Sequence, residues 1–549
     1  MTNKQVLFLL TLLAFLYGCG LTNMVNKYET VNYNVTPPVL QVHGGNINLS
    51  LDGVFPENYF AKKATVDITP VLIYKDQEKK FKKITIQGEE ADGGEATIFY
   101  ATGGKFSYQD KIPYEKNMMT STLELRAIAK IKEDSATLGP RNIAKGTIAS
   151  SERVIDNEEL ANNNHGYEHE TILEESATIY FLVNQSNIRT TETSNSEIQR
   201  LKDFAKKGYK THSIEITSFA SPEGSINLNN NVSDNRMKRT VNYTKKLLRS
   251  LKVDGAKNND IYIENSNGED WEGFENLVRD SRMKDKRRIN RIVNSVEDLE
   301  LREQQIRDLS EIYDAIKDDI LPQLRKSIIT IRSYEPKKTD DEIKSLALSA
   351  PDSLSVNELL FAATLHDHET EINIYNKVIE LHNDWRGYNN LACLKILADR
   401  DDALALLKKA EEINANAKDV MINKGIVYAR EGKLALAQEM FNKGDASEYN
   451  QAILNIRKGE YERAAQFFKG QTTHNAVLSQ ILSGNTKNNC TEKIDECFYL
   501  NAIIAARSNN KQELLKFLKS TSERLRNEAK IDLEFVNFWQ DQDFKGLFE

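Results

Sequence analysis

The sequence predicts a multidomain protein with an all-β N-terminal domain, an α+β domain carrying a helical insertion, and an all-α repeat superhelix. Three observations predict it. At 549 residues the chain exceeds what one core organises, because domains run to roughly 100–200 residues. Its hydrophobic pattern changes along the chain, from a period of two before residue 150 to a helical period after residue 350. Beyond residue 388 the sequence resembles itself at intervals of about 27 to 34 residues, the mark of stacked repeats.

Composition narrows the function classes. The chain is 40% hydrophobic and 28% charged with only 10 Pro, which suits folded cores rather than disorder. Lys plus Arg number 73 against 81 Asp plus Glu, a net charge of -8, so no nucleic-acid partner is expected. The basic run from Arg279 to Arg291 is interleaved with Asp280 and Asp285 and reads as a solvated helix face. Four Cys cannot form a disulfide framework in such a length, and with eight His they show no zinc spacing, so neither metal nor cofactor is expected.

Residues 1–18 read as a signal peptide: Lys4, an apolar run from Val6 to Phe15, then Leu16-Tyr17-Gly18-Cys19. An apolar run of about ten residues is too short to span a ~30 Å hydrocarbon core as a helix. A small residue directly before Cys at the end of such a run resembles the bacterial lipobox. That resemblance implies cleavage after Gly18, lipidation of Cys19 and a membrane partner held through several acyl chains. Residues 19–27 are then a lipidated linker. They lack the acidic cluster of surface-exposed Bacteroidota lipoproteins, which favours an outer-membrane protein facing the periplasm.

Residues 28–150 alternate apolar and polar positions in short runs, as in Ile47–Leu51, Ala64–Ile68, Ile84–Ile86, Thr97–Tyr100 and Leu123–Ala129. Turns at Gly44-Gly45, Gly93-Gly94 and Gly103-Gly104 separate them, so a β-sandwich-like domain is expected. Residues 151–175, rich in Asn and Glu, read as a linker.

Residues 176–336 mix both periods. Strands are expected at Ala177–Val183, Ser213–Thr217, Ile261–Ile263 and Ser327–Ile331. A helix carries Ile198, Leu201, Phe204 and Ala205 on one face, a second runs from an N-cap at Ser233 to Leu251, and residues 270–322 form a helical insertion. The run Ala220-Ser221-Pro222-Glu223-Gly224, then Asn229, Val232-Ser233 and Arg236, resembles the OmpA-like peptidoglycan-associated domain. In that family an Asp and an Arg grip the carboxylate and amine of the diaminopimelate stem peptide. Here Arg236 is retained, Ser221 stands where the Asp belongs, and Glu223 is two residues away. The resemblance implies a degenerate peptidoglycan site of Ser221, Glu223, Asn229 and Arg236. Arg236 can instead pair with a strand-end carbonyl, Asp234 or Glu223.

Residues 350–549 carry helical repeats. Gly425, Tyr428, Ala437, Phe441 and Gly444 match the tetratricopeptide spacing, in which small residues let paired helices approach. Stacked pairs present a concave face suited to a protein partner. Cys393 reads as a core thiol, and Cys490 and Cys497 as a candidate disulfide. Asp134-Ser135-Ala136 and Asp352-Ser353-Leu354 resemble the Bacteroidota O-glycosylation sequon, which makes Ser135 and Ser353 candidate acceptors.

The combined expectation is not an enzyme but a lipid-anchored tether and scaffold in envelope assembly, secretion or maintenance, with a protein held by its repeats and peptidoglycan as a second contact. Alternatives are a surface-exposed component of a fimbrial or export assembly, and a cell-wall hydrolase built on Glu223.

Overall fold

The computed structural model describes residues 20–399 and 402–548. They form two compact units: the residues up to Asn164 together with those from His368 onward, and His165–Asp367. Among the described residues no helix is long and apolar enough to cross a membrane.

The first unit opens with ten strands: β1 (Asn32–Val35), β2 (Val39–His43), β3 (Asn46–Phe55), β4 (Thr65–Tyr74), β5 (Gln77–Lys80), β6 (Ile84–Gly88), β7 (Ala96–Ile98), β8 (Gly104–Pro113), β9 (Ser121–Ile131) and β10 (Asp134–Ile148). Alternation governs them: in β9 every second residue is buried. The strands form one continuous sheet rather than two separate ones, because β2 pairs with β3 and also, in parallel, with β10. Leu49, Leu51 and Phe106 from one arm and Val66, Ile68, Leu123 and Leu125 from the other enter a single core, so the sheet curls around it. Burying each such side chain is worth about 1.5–3 kcal/mol. Gly44 and Gly45, at φ +57° and +71°, make the tight β2–β3 turn that a β-branched residue would strain.

The same unit continues as antiparallel helix pairs, Trp385–Leu397 with Ala403–Ile413, Lys418–Arg430 with Leu434–Gly444, and Glu448–Lys458 with Tyr461–Phe467. His474–Leu482 follows, then Asp495–Arg507 with Lys511–Lys519. Small residues sit where the pairs cross. A Cβ on Gly425 would lie 2.3 Å from the Phe441 ring, and one on Gly444 2.8 Å from the Lys418 carbonyl. Such pairing is consistent with tetratricopeptide repeats. The β-domain docks on the repeats through His43 against Tyr461, ring centroids 4.8 Å apart, and through Ser150, whose hydroxyl donates to Glu534 at 2.6 Å.

The second unit holds four strands, β11 (Ile172–Tyr180), β12 (Thr211–Ala220), β13 (Tyr262–Glu269) and β14 (Lys326–Tyr334), in the order β11-β14-β12-β13 with only β12 and β13 parallel. The last strand thus inserts at the centre of the sheet. Helices Ser196–Ala205 and Ile226–Ser250 supply Ile198, Leu201 and Val241 to a core with Ile179, Ile214, Ile216, Ile329 and Ile331. Helices from Trp271 to Leu324 form the insertion with a core of their own.

One helix start is corrected. The second helix begins at Ile226 under a Ser225 cap, and Ser233 lies fully buried in its interior. There its hydroxyl donates to the Ser218 carbonyl at 3.0 Å, so packing against β12 and not a cap explains it. Helices Asp340–Ser349 and Val356–Thr364, the latter expected among the repeats, belong to this second unit.

Candidate functional site

The motif of the second unit lies between β12, the helix after it and the approach to β14. Ser221 donates its hydroxyl proton to the Glu223 carboxylate at 2.6 Å, and Arg325 Nε donates to the same oxygen at 2.7 Å. Asn229 donates to Glu269 at 2.7 Å, and the Gly224 amide donates to Glu303 at 2.8 Å. Ser221, Glu223 and Arg325 therefore form one cluster, but the carboxylate already has its cation. Arg236 lies within electrostatic reach of Arg325 and Glu223, yet its hydrogen bonds go to main-chain oxygens. Only 1% exposed, it donates from Nε to the Gln185 carbonyl at 3.0 Å and from its terminal nitrogens to the Phe219 and Leu182 carbonyls at 2.8 and 3.1 Å. Burial, then repulsion from Arg325, pulls its guanidinium down to about 10. Three of its five N–H donors are committed to main-chain oxygens, and burial closes the other two off from a ligand in solution.

The remaining sequence candidates stand apart from that cluster. Cys19 lies outside the described residues. Cys490 and Cys497 are joined, their Cα atoms 5.4 Å apart. Ser135 is exposed at the start of β10, and Ser353 is exposed in the short Pro351–Ser353 turn with its hydroxyl on the Ala350 carbonyl.

Part of the expected 151–175 linker is held by the repeats. Residues 153–163 run extended along the first helices of successive repeats, gripped by a row of Asn side chains. Asn475 accepts from the Ile155 amide at 3.1 Å and donates to the Ile155 carbonyl at 2.9 Å. Asn450 does the same to Glu159 at 2.8 and 2.9 Å, Asn423 to Ala161 at 3.0 and 2.9 Å, and Asn390 to Asn163 at 2.8 and 3.1 Å. A carboxamide carries one acceptor and a donor set like a peptide group, so it pairs with the N–H and C=O of one residue as a neighbouring strand does. Alternate residues of an extended chain present these groups to the same side, which is why the gripped positions are odd-numbered. All four Asn are buried, so each would be costly without this partner.

The even-numbered side chains supply the rest. Glu158, its side chain 1% exposed, bonds Arg430 at 2.8 Å and Arg457 at 3.3 Å, and Arg457 also pairs with Asp156. Val154 and Leu160 pack against the repeat cores. Arg153 anchors one end, 3.9 Å above the Tyr499 ring and bonded to Glu528 at 2.5 Å and Asp532 at 3.1 Å. Its carbonyl accepts from His474 Nε2 at 2.7 Å, and burial holds that imidazole below its ordinary value. Cys393, beneath the Ala161 carbonyl, is buried and its thiol is pushed up to about 12 by that burial, so it is inert at neutral pH.

A signal for this groove was present. Asn recurs two residues before a small or aliphatic position on each first helix: Asn390 before Ala392, Asn423 before Gly425, Asn450 before Ala452, Asn475 before Val477 and Asn501 before Ile503. The last of these clasps the main chain of Cys490 in the same two-point way, at 2.7 and 3.0 Å.

No known protein-family profile matches the chain, and no curated protein matches it. Among solved structures it is similar to a tetratricopeptide repeat protein from Parabacteroides merdae ATCC 43184, 14% identical over 38% of this chain and 89% of that one, TM-score 0.27. It is also similar to yeast Tom70, 12% identical over 58% of this chain and 69% of that one, TM-score 0.19.

Proposed function

We propose that this chain is a protein-binding repeat scaffold held at the outer membrane by an acylated Cys19, facing the periplasm and working without catalysis in envelope assembly, secretion or maintenance. The observation that carries the reading is the Asn row: buried amides on the first helices of the repeats grip an extended polypeptide by its main chain. The α+β domain we read as OmpA-like, with its wall-binding chemistry turned to structural use. Supporting this, Arg236 serves three carbonyls of its own domain and Glu223 is neutralised by Arg325. Against Glu223 as a hydrolase residue, its Oε1 is already engaged by both Arg325 and Ser221.

Crosslinking in native membranes followed by affinity purification tests the scaffold. The expected result is a discrete protein partner crosslinked to the repeats; crosslinks to lipid and wall alone would overturn it. Incubation with purified sacculi tests the middle domain. Retention no higher than that of an unrelated soluble protein is expected, and specific retention would restore the wall-binding reading.

A further inference from the structure

We propose that residues 153–163 are an exchangeable occupant of the repeat groove, standing in for an extended acidic segment of a partner protein with the pattern apolar-x-acid-x-acid-x-apolar. The inference deepens the scaffold reading and rests on it.

Three observations point this way. First, the Asn row binds main-chain groups, which every polypeptide carries, so nothing in it is particular to this strap. Selectivity comes from the even positions, where Arg430 and Arg457 face Asp156 and Glu158, with Val154 and Leu160 on either side. Second, the strap is an imperfect fit. Arg153 Nε, Asn163 Oδ1, Arg457 Nε and His474 Nδ1 are buried without a hydrogen-bonding partner, half of all such side-chain atoms among the described residues. Third, Val154 lies between two cavities. One of about 380 Å³ is lined by Gly44, Glu152, Arg430 and Arg457, the other of about 480 Å³ by Tyr114, Met119, Arg153 and Leu525. A larger apolar side chain at this position would fill space that Val154 leaves open. A tethered strap competes at an effective concentration on the order of millimolar, so a better-fitting segment is what displaces it.

The test uses the full-length protein and a fluorescent peptide of residues 152–164, with a second peptide bearing Val154→Phe. The parent protein should bind the first peptide weakly and the Val154→Phe peptide at least about tenfold more tightly. A protein carrying Asp156→Lys and Glu158→Lys in its strap should gain at least about tenfold for both peptides. Adding Arg430→Glu and Arg457→Glu should abolish that gain. Absence of any gain in the folded strap variant would overturn the proposal. Should that variant fail to fold, hydrogen exchange on the parent decides: millimolar Val154→Phe peptide should accelerate exchange at the Ile155, Glu159, Ala161 and Asn163 amides, and unchanged protection would overturn exchange. A partner still recovered from native membranes in that case leaves the scaffold reading standing while the strap is permanent.

Discussion

The repeat groove and the motif of the α+β domain both bury strongly polar side chains, yet they direct them differently. In the groove, the Asn amides reach across to another stretch of main chain, with arginines beside them reading its acids. In the α+β domain, Arg236 is spent on carbonyls of its own fold, and the nearest carboxylate is held by Arg325. A buried polar group has to be satisfied, and what satisfies it decides whether it is a site or a brace. The position of Arg236 in a familiar motif says nothing about that choice; its partners do.

Substitutions in the two regions can break or sharpen this contrast. The largest effect is expected from Arg236→Met, which strips donors from three carbonyls at about 1–3 kcal/mol each and should cost about 3–5 kcal/mol overall. Chemical denaturation measures it; a loss below about 1 kcal/mol would mean the guanidinium is not a brace. Asn423→Ala removes the two-point grip on Ala161 and should cost about 2–3 kcal/mol, with faster exchange of the Ala161 amide and little change in the second unit. Next come the acids of the strap. Glu158→Gln should cost about 1–2 kcal/mol because both arginines lose their buried partner. Asp156→Asn, at a half-exposed site, should cost under about 1 kcal/mol and less still in high salt.

The smallest effect is a pH dependence. Burial lowers the pKa of His474 below its ordinary 6.5 in the folded chain, and Nε2 must carry the proton it gives to the Arg153 carbonyl. The unfolded chain then binds more protons, so stability from this group is full above pH 6.5 and declines as pH falls from there through the folded value. Thermal melts between pH 7.5 and 5 should show this decline in the parent and a shallower one in His474→Gln. Identical slopes would remove His474 from the contact.

Much of the architecture was legible because it follows from periodicity. The β9 alternation, the Ile198–Leu201–Ala205 face and the Gly425–Phe441 crossing are each imposed by neighbours within a few residues or by a repeat. The start of the long helix was misread because Ser233 has the chemistry of a cap; only the approach of Ser218 shows its role. The groove's occupant was illegible for a similar reason. Residues 153–163 form no element of their own, and their order comes from Asn side chains some 230 to 320 positions away. The Asn row itself recurs in the sequence every 25 to 33 residues, but nothing local says what it holds. Likewise Arg236 and Glu223 could be placed by motif, whereas Arg325, 102 residues beyond Glu223, could not.

Whether the Asn row of the repeats holds an extended main chain is read out by residue-resolved hydrogen exchange. The amides of Ile155, Glu159, Ala161 and Asn163 should be protected in the parent, and Asn423→Ala should release Ala161 first. Rapid exchange of all four in the intact protein, at the rate of a free peptide, would contradict that grip.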